Sequence, residues 1–304
     1  MSPRILHRLQ LLAAAALFST GGAAIKATTL SGWQVASFRS GVAALAVLLL
    51  VPAARRGWSR RAWLVGVPYA ATMVLFVTST KLTTAANAIF LQSTAPLYVL
   101  LLGPWLLRER IRRQDLYFMG AVALGLGLFF VGTEAPRATA PDPLTGNLLA
   151  LLSGVFWALT VLGLRWLGSR PGDEGAALST VVAGNVIAFV GLLPLALPVG
   201  AASAGDWAAV AYLGVFQIAA AYLFLTAAIR HVPALEASTL LLAEPALNPL
   251  WAWLAHGEVP GGWALAGGGV ILGATLLKTW AGARPPATAS RGVDSAPRRH
   301  RRAA

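Results

Sequence analysis

The sequence predicts an all-α integral membrane protein with ten transmembrane helices, arranged as two inverted five-helix repeats. Three observations lead to this prediction: an unusually apolar composition, ten apolar runs of membrane-spanning length, and a sequence repeat at about half the chain length. Lipid, rather than a hydrophobic core in water, is therefore the expected surrounding of most of the chain.

The composition separates this chain from soluble domains. Apolar residues make up 57% of the 304 positions, charged residues make up 12%, and the mean hydropathy is +0.67. A soluble domain has about 45–50% apolar and about 25% charged residues. The chain contains no cysteine, which excludes disulfides, thiol catalysis and zinc–thiolate sites.

Ten apolar runs are each long enough to cross a bilayer as a helix, which takes roughly 17–25 residues. Short connectors with proline, glycine or charged residues separate the runs, as expected of turns at the two membrane faces. The runs are 9–26, 34–54, 62–80, 85–107, 115–133, 146–167, 177–198, 207–229, 235–255 and 262–281.

The basic residues are distributed unevenly over the predicted connectors. With both termini inside, 20 lysines and arginines lie on the inner side and 4 on the outer side, in agreement with the positive-inside rule. The net charge of +13 therefore indicates orientation in a lipid bilayer rather than nucleic-acid binding. We expect a multi-pass protein of the bacterial cytoplasmic membrane with cytoplasmic termini. We also expect the first run to remain as a span rather than to be cleaved as a signal peptide.

An internal repeat relates the two halves of the chain. Three residue pairs share an offset of 149 positions: Pro96 and Pro245, Glu109 and Glu258, Gly120 and Gly269. Because each half has five spans, an odd number, the second half must be inverted across the membrane. The expected divisions are a first repeat at 1–133, an outer linker at 134–145, a second repeat at 146–281 and a disordered basic tail at 282–304.

The repeated segment that ends the fourth span of each half differs mainly in charge. The first copy reads "RERIRR" at 108–113, and the second reads "HGEVPG" at 256–261. Arginines on the inner side hold the topology, whereas the same arginines in an outer loop would oppose insertion. These arginines therefore indicate orientation rather than a basic binding site.

Three segments carry a resemblance to a known family. "APLYVLLLGPWLLRERI" at 95–111 and "EPALNPLWAWLAHGEV" at 244–259 each end a fourth span, and "SFRSGVAALAVLLL" at 37–50 is typical of a second span. In these features the chain resembles the EamA family of the drug/metabolite transporter superfamily. The resemblance implies two inverted five-helix halves around a cavity lined mainly by spans 1, 3, 4, 6, 8 and 9. It also implies transport of small metabolites or drugs, often outward, without fixing the substrate.

The two repeated prolines point to the middle of the membrane. Pro96 and Pro245 lie roughly ten residues into spans 4 and 9, about 15 Å from the entry face at 1.5 Å per residue. Each is expected to kink its helix and to free the carbonyl four residues earlier. Matching interruptions in two inverted halves indicate a transporter's substrate site. A kink that serves only packing is the alternative.

Span 9 carries the most informative single residue. A charge near the membrane centre costs about 2.5 kcal/mol or more, so Glu244 should face the interior of the bundle. Glu244, Asn248 and Trp251 recur at i, i+4 and i+7 and share one helix face. The carboxylate could titrate, which would support proton coupling, or contact a cationic substrate group. A hydrogen-bonded glutamate that braces span 9 is the alternative.

Polar and aromatic residues of other spans complete the candidate binding site. They are Asn87, Gln92, Thr94 and Tyr98 in span 4, Trp157 in span 6, and Gln217 and Tyr222 in span 8. Aromatic rings would suit a flat or cationic substrate, although rings in such positions also serve packing and the membrane interface.

Charged residues near the ends of spans have structural interpretations. Lys26, Lys81 and Arg39 are expected at the outer interface, where long basic side chains reach water. Arg39 could alternatively close an outer gate. Glu109 and Glu258 are expected to form an ion pair or a loop clamp at the ends of their spans.

Spans 5 and 10 are rich in small residues. Ala123 and Gly127 in span 5, and Gly269 and Gly273 in span 10, recur at four-residue spacing. This spacing permits close helix packing within one protomer or between two, so a homodimer is one expectation.

The sequence lacks the motifs of several other functions. It has no P-loop, dinucleotide fingerprint or serine elbow, and its four histidines lie at span ends or in tails, so no enzymatic activity, metal or cofactor is expected. The sequence predicts a secondary transporter that exports small organic metabolites, such as amino acids or drugs, by alternating access, either proton-coupled or facilitated. A membrane sensor or adaptor that uses the basic tail, and a membrane-embedded enzyme for lipid-linked substrates, are the alternatives.

Overall fold

The first half of the chain folds into seven helices. The computed structural model describes residues 3–106, 111–131, 135–168, 176–229 and 231–283. These helices are α1 (Pro3–Ser19), α2 (Gly21–Lys26), α3 (Gly32–Leu50), α4 (Arg60–Leu82), α5 (Ala85–Gln92), α6 (Ala95–Leu106) and α7 (Arg113–Val131), with a 3₁₀ turn at Pro52–Arg55.

The second half repeats this pattern. Its helices are α8 (Pro143–Gly168), α9 (Ala176–Ala196), α10 (Ala204–Tyr212), α11 (Ala221–Ala228), α12 (Ala234–Leu241), α13 (Ala243–His256) and α14 (Gly262–Ala283). A π-helical segment, Leu213–Ala220, joins α10 to α11. The described residues form no β-strand, and their only extended pairing is an isolated bridge between Arg137 and Ala140.

The helices form ten spans. Spans 1, 4 and 9 each contain two successive helices, α1–α2, α5–α6 and α12–α13, and span 8 joins α10 to α11 through the π-helical segment. Within the described residues, nine spans are long and apolar enough to cross a membrane. The remaining one is span 9, whose hydropathy is lowered by Glu236, Glu244 and Asn248. The predicted all-α membrane fold with ten spans is confirmed.

The packing of the spans repeats between the two halves. Span 3 packs on span 6, and its counterpart span 8 packs on span 1. Span 4 also packs on span 6, and its counterpart span 9 packs on span 1. Spans 2 and 7 pack on each other, as do spans 5 and 10. An exchange of the two halves therefore preserves the main helix contacts, as expected of inverted repeats.

Local signals fix several helix ends. Ser31 and Ser203 begin α3 and α10 with capping boxes, in which the serine side chain accepts a hydrogen bond from the third helical residue. Gly257 ends α13 with a φ of 63°, a conformation that costs glycine nothing. α3 ends at Leu50 rather than at residue 54, because Pro52 begins a separate 3₁₀ turn.

The helix breaks of spans 4 and 9 occur at matching positions. α5 ends at Gln92 and α12 ends at Leu241, and these residues are 149 positions apart, as are the first residues of the two helices, Ala85 and Ala234. The offset seen in the sequence is therefore also the offset between the two broken spans.

The repeated prolines follow these breaks. Pro96 is the second residue of α6, and Pro245 is the third residue of α13. We expected each proline to kink a continuous helix, but each helix instead ends before its proline. In the first turn of a helix the backbone nitrogen has no intrahelical acceptor, so proline removes no hydrogen bond there.

Candidate functional site

A cavity of about 350 Å³ lies between the two halves at the height of the helix breaks. The resemblance to the family implied walls formed mainly by spans 1, 3, 4, 6, 8 and 9. The structure adds span 2 through Arg39 and span 10 through Thr275. Most of the wall is apolar, including Phe18 and Phe76, so the few polar side chains are the groups that can orient a ligand.

Several candidates from the sequence line this cavity. They are Gln92, Pro96, Trp157, Gln217, Tyr222, Glu244 and Pro245. They come from spans 4, 6, 8 and 9, which are far apart in the chain and meet only through the packing of the two halves. Their role in substrate binding stays a prediction.

Two candidates of span 9 lie away from the cavity. Trp251 donates from Nε1 to Ser19 Oγ at 2.8 Å, and Asn248 lies so close to Gly22 that a Cβ there would come within 2.6 Å of Asn248 Oδ1. Both residues share a helix face with Glu244, as expected. However, this face packs against span 1 beyond the first turn of α13, so of these three residues Glu244 alone lines the cavity.

Three candidates of span 4 also lie away from the cavity. Asn87 donates from Nδ2 to Asn147 Oδ1 at 3.2 Å, and Thr94 donates from Oγ1 to its own helix at Leu91 O, at 2.6 Å. Tyr98 packs against span 6, where a Cβ at Gly154 would meet its ring at 3.3 Å. These side chains join span 4 to span 6 or complete the helix break.

Glu244 is the carboxylate of the cavity. It lies in the first turn of α13 and lines the cavity wall with Pro245. Among the described residues, no hydrogen bond or ion pair involves its side chain, and Tyr222 is within electrostatic reach of it. The bracing hydrogen bond that would make Glu244 purely structural is therefore not found in the described part of the chain.

Arg39 contradicts its expected position at the outer interface. Its side chain is 1% exposed and lies in the cavity wall. Nη1 is 3.5 Å from Gln217 Oε1, and Nη2 is 3.4 Å from Met73 O. α3 runs from Gly32 to Leu50, so Arg39 lies about two turns inside the span, too deep for its side chain to reach water.

Two tyrosines, the buried Tyr69 and the half-buried Tyr222, line the cavity together with Arg39 and Glu244. The hydroxyl groups of Tyr69 and Tyr222 interact with each other, and Tyr69 also accepts from Asn185 Nδ2 at 3.3 Å. Tyr69 is within electrostatic reach of Arg39, just as Tyr222 is of Glu244. The cavity wall therefore contains one guanidinium group, one carboxyl group and two tyrosine hydroxyls.

Sequence reasoning missed Arg39 and Tyr69 as cavity residues. The available signal for Arg39 was its depth, since a charge inside a transmembrane helix usually faces the bundle interior or a cavity. Tyr69 follows Pro68 in the middle of α4 and carried no comparable signal. The π-helical segment that presents Gln217 had no signal in the sequence either, although such segments are frequent at functional sites.

A second group of polar side chains lies at the distal face, which we define as the face that carries residues 27–31, 83–84, 137–140 and 257–261. Lys26 was expected at the interface, but its side chain is 4% exposed and pairs with Glu258 at 2.9 Å. Lys26 Nζ also donates to the carbonyls of Thr83 and Thr139. The pairing of Glu258 agrees with the expected clamp, whereas its counterpart Glu109 lies outside the described residues.

Further bonds lie at the distal face, and those of Glu258 and Asp206 connect the two halves. Glu258 Oε1 accepts from the backbone N–H of Ala85, the first residue of α5, at 2.6 Å. Asp206 accepts from Thr29 N at 2.5 Å and from Thr29 Oγ1 at 2.9 Å. Lys81 Nζ donates to Thr28 O at 2.6 Å. We call this set of bonds, with the Lys26–Glu258 pair, the distal network.

The described residues contain no group of three or more histidine, aspartate or glutamate side chains that could hold a metal ion. The expected basic tail from residue 284 onward, and Arg230, lie outside the described residues. The wall of the cavity offers charged groups, hydrogen-bonding groups and aromatic surface to a ligand.

The chain is similar to proteins of known and unknown function. It is 27% identical over 267 residues to the pseudopaline exporter CntI of Pseudomonas aeruginosa. This alignment covers 85% of the present chain and 90% of CntI. It is 28% identical over 221 residues to the threonine/homoserine exporter RhtA of Escherichia coli, and this alignment covers 70% of the present chain and 69% of RhtA. An uncharacterized transporter of Methanothermobacter thermautotrophicus is 28% identical over 186 residues, and the match spans about half of that relative, 52% of its length.

The fold and the family agree with these similarities. A solved crystal structure with 18% sequence identity superimposes with a TM-score of 0.58 and covers 93% of this chain and 100% of that one, which shows a shared fold. The family model of the EamA-like transporters matches residues 8–133 and 144–280, one match in each half. The chain therefore belongs to the EamA-like transporter family.

Proposed function

We propose that this protein is a secondary transporter that exports small organic metabolites by alternating access, with the central cavity as its substrate site. One observation carries the proposal: the cavity lies at matching helix breaks of two inverted halves and contains the carboxylate of Glu244. Such paired breaks mark the substrate site in many transporters. The names of two relatives, exporters of pseudopaline and of threonine or homoserine, support outward movement of metabolites.

The distal network supports a cycle in which the cavity opens to one side at a time. It joins the two halves through the Lys26–Glu258 pair and through the bonds of Asp206 to Thr29. The halves cannot separate at the distal face while these bonds hold. We therefore propose that the network breaks when the cavity opens toward the distal face and forms again when it closes.

We also propose an orientation for the chain in a bacterial cytoplasmic membrane. Both termini would be cytoplasmic and the distal face would be external, because this places 20 basic residues on the inner side and only Lys26, Lys81 and Arg137 on the outer side. Single cysteines at exposed positions test this, since the natural chain has none. A membrane-impermeant maleimide added to intact cells should label Ala138→Cys, at the distal face, and not Ala53→Cys. The reverse pattern would contradict the orientation.

Proton coupling through Glu244 is the next part of the proposal. A carboxylate without an ion-pair partner among the described residues can take up a proton when the cavity is empty and release it when a cationic group binds. Competition between proton and substrate for one carboxylate would couple export to proton entry. Facilitated export without protons is the alternative.

We further propose that the chain catalyses no covalent reaction and that the basic tail does not carry its activity. All the relatives named above are transporters or exporters. Deletion of 284–304 should leave flux intact, whereas an adaptor that works through its tail would lose function. Crosslinking in membranes tests whether the small-residue surfaces of spans 5 and 10 form a homodimer.

Growth and flux measurements test the transport function itself. Cells that express the protein should grow in the presence of some toxic analogues of amino acids, sugars or nucleobases that inhibit cells without it, because export lowers their internal concentration. Proteoliposomes should then show flux of the corresponding compound. Sensitisation rather than resistance would indicate import, and the absence of flux for every compound would contradict transport.

A further inference from the structure

The central cavity holds a positive charge that its own walls do not neutralise. The Arg39 side chain is 1% exposed. Its hydrogen-bond partners are neutral and distant: Gln217 Oε1 at 3.5 Å, Met73 O at 3.4 Å and Met73 Sδ at 3.5 Å. Its Nε has no partner, and no carboxylate of the described residues pairs with it.

A buried charge of this kind needs an anion. Guanidinium groups stay protonated in proteins, and a charge removed from water is costly unless it is paired and hydrogen-bonded. If Arg39 served only to hold the helices together, we would expect short bonds and a carboxylate beside it. Its long contacts and free Nε instead leave donors available on a side chain that lines the cavity.

The same cavity wall holds the complementary group. Glu244 lines the same cavity and lacks an ion-pair partner among the described residues. Tyr69 and Tyr222 line the same cavity, and their hydroxyls can donate to, or accept from, a ligand. A guanidinium fork matches a carboxylate in shape, and a carboxylate matches an ammonium group.

We infer that the transported substrate is a zwitterion of the amino-acid type, whose carboxylate binds Arg39 and whose ammonium group binds Glu244. This inference rests on the proposed transport function, because it names the substrate class of the same cavity. The volume of about 350 Å³ suits a small molecule. A substrate with both charges compensates both buried groups at once, whereas a simple amine or a simple acid leaves one of them unpaired.

The test compares compounds that differ by one charge. Radiolabelled L-threonine and the other nineteen standard amino acids are loaded one at a time into proteoliposomes. The best transported one is then competed with its amide, which lacks the carboxylate, and with its 2-hydroxy acid, which lacks the ammonium group. For the natural chain each analogue should inhibit at least about tenfold more weakly than the amino acid, because a site built for a charged group rejects the analogue that lacks it.

Substitutions then assign each charge to its residue. Arg39→Gln should raise the KM for the amino acid about tenfold or more and abolish the preference over the amide, while the preference over the 2-hydroxy acid remains. Glu244→Gln should abolish the preference over the 2-hydroxy acid, while the preference over the amide remains. Arg56→Gln, at an exposed arginine outside the cavity, should change neither. The preference ratios do not depend on how much of a variant folds. Arg39→Lys, which keeps the charge, should retain part of the preference for the amino acid over its amide.

Several results would count against this substrate class. Equal inhibition by the amide and the amino acid in the natural chain, or an unchanged preference in Arg39→Gln, would overturn the inference. Flux of a neutral, purely cationic or purely anionic compound from the growth screen, with no flux of any amino acid, would overturn it while leaving the transport function intact. If no compound moves, the transport function fails, and the substrate class fails with it.

Discussion

Lys26 Nζ lies 2.9 Å from Glu258 Oε2, and the two side chains, 4% and 1% exposed, are buried between the halves of the protein. The same glutamate accepts from the N–H of Ala85, at the positive end of α5. One carboxylate thus holds a lysine from span 1 and the first turn of span 4. The glutamate is the residue that both copies of the repeated segment keep.

Removal of this carboxylate should destabilise the protein strongly. Glu258→Gln leaves the Lys26 charge buried without its partner, which costs about 3–5 kcal/mol of the free energy of unfolding. Denaturant titration of the solubilised protein measures this. Glu236→Gln is the matched control, because its ion pair with Arg8 is partly exposed and is worth about 0–1 kcal/mol.

A double variant separates the pair from the fold around it. Lys26→Met combined with Glu258→Gln removes both charges, so it should be less destabilised than the sum of the two single variants by about 0.5–3 kcal/mol. Additive effects would contradict an energetic coupling between these two side chains.

The distal network should also control access to the cavity. We expect Lys26→Met to raise the labelling rate of Ile89→Cys, a buried residue of the cavity wall, by a maleimide applied from the distal side. Lys26→Met removes a bond between the halves that forms only when the cavity is closed at the distal face. The substitution therefore destabilises the closed arrangement relative to the open one. The increase should be about tenfold for each 1.4 kcal/mol of coupling lost. An unchanged rate, with Ala138→Cys as the labelling control, would show that the pair does not act as a gate.

Glu244→Gln should separate transport from the proton gradient. Proteoliposomes with the natural chain should accumulate or release substrate in response to an imposed pH gradient. The glutamine variant cannot exchange a proton at this position, so its residual flux should follow only the substrate gradient. Glu236→Gln serves as the control for loss of a carboxylate elsewhere in span 9. Gradient-driven flux of normal size in Glu244→Gln would rule out coupling through this residue.

Asp142, an exposed residue immediately before α8, should give a small stabilisation that disappears in acid. Hydrogen bonds from the Thr145 hydroxyl and backbone hold its pKa below the ordinary value. A carboxyl whose pKa is lower in the folded state stabilises that state above its unfolded pKa of about 3.9, and this contribution is lost as the pH falls through the folded pKa. The melting temperatures of the natural chain and Asp142→Ala should therefore differ at pH 7 and 5, and the difference should shrink as the pH falls below about 3.9. A difference that widens in acid would contradict this assignment.

The contact between spans 5 and 10 can be tested with two glycines of the same helix. A Cβ at Gly125 would lie 2.8 Å from Ile271 Cγ1 and 3.0 Å from Gly267 O, whereas a Cβ at Gly127 would meet nothing within 4 Å. Gly125→Val should therefore cost about 1–3 kcal/mol through overpacking, and Gly127→Val should not. Equal melting temperatures for the two variants would contradict this packing. Loss of a dimer in Gly127→Val alone would indicate that the open side of span 5 contacts a second copy.

Much of the fold could be predicted from hydropathy and repetition. Run length defined the spans because a helix must cover the bilayer with apolar side chains. The offset between Pro96 and Pro245 located the two helix breaks. It did not show that each helix ends before its proline instead of being kinked by it. Periodicity placed Asn248 and Trp251 on the face of Glu244, but it could not say that this face leaves the cavity after one turn and packs on span 1.

The charged residues show most clearly what a sequence leaves open. Lys26, Arg39 and Lys81 look alike as basic residues near the predicted outer ends of spans. Their environments differ because of residues more than 50 positions away: Glu258 for Lys26, Gln217 for Arg39, and Thr28 for Lys81. No local pattern encodes such partners.

Hydropathy, chain order and repetition along one dimension were enough to establish the membrane class, the ten spans and the inverted repeat, and the segments at 37–50, 95–111 and 244–259 indicated the family. The three-dimensional packing was needed to learn which polar residues share a cavity, that Arg39 and Glu244 line it together, and that Lys26 and Glu258 join the halves at the distal face. The physical reason is that burial and charge pairing depend on how the helices of the two halves pack together.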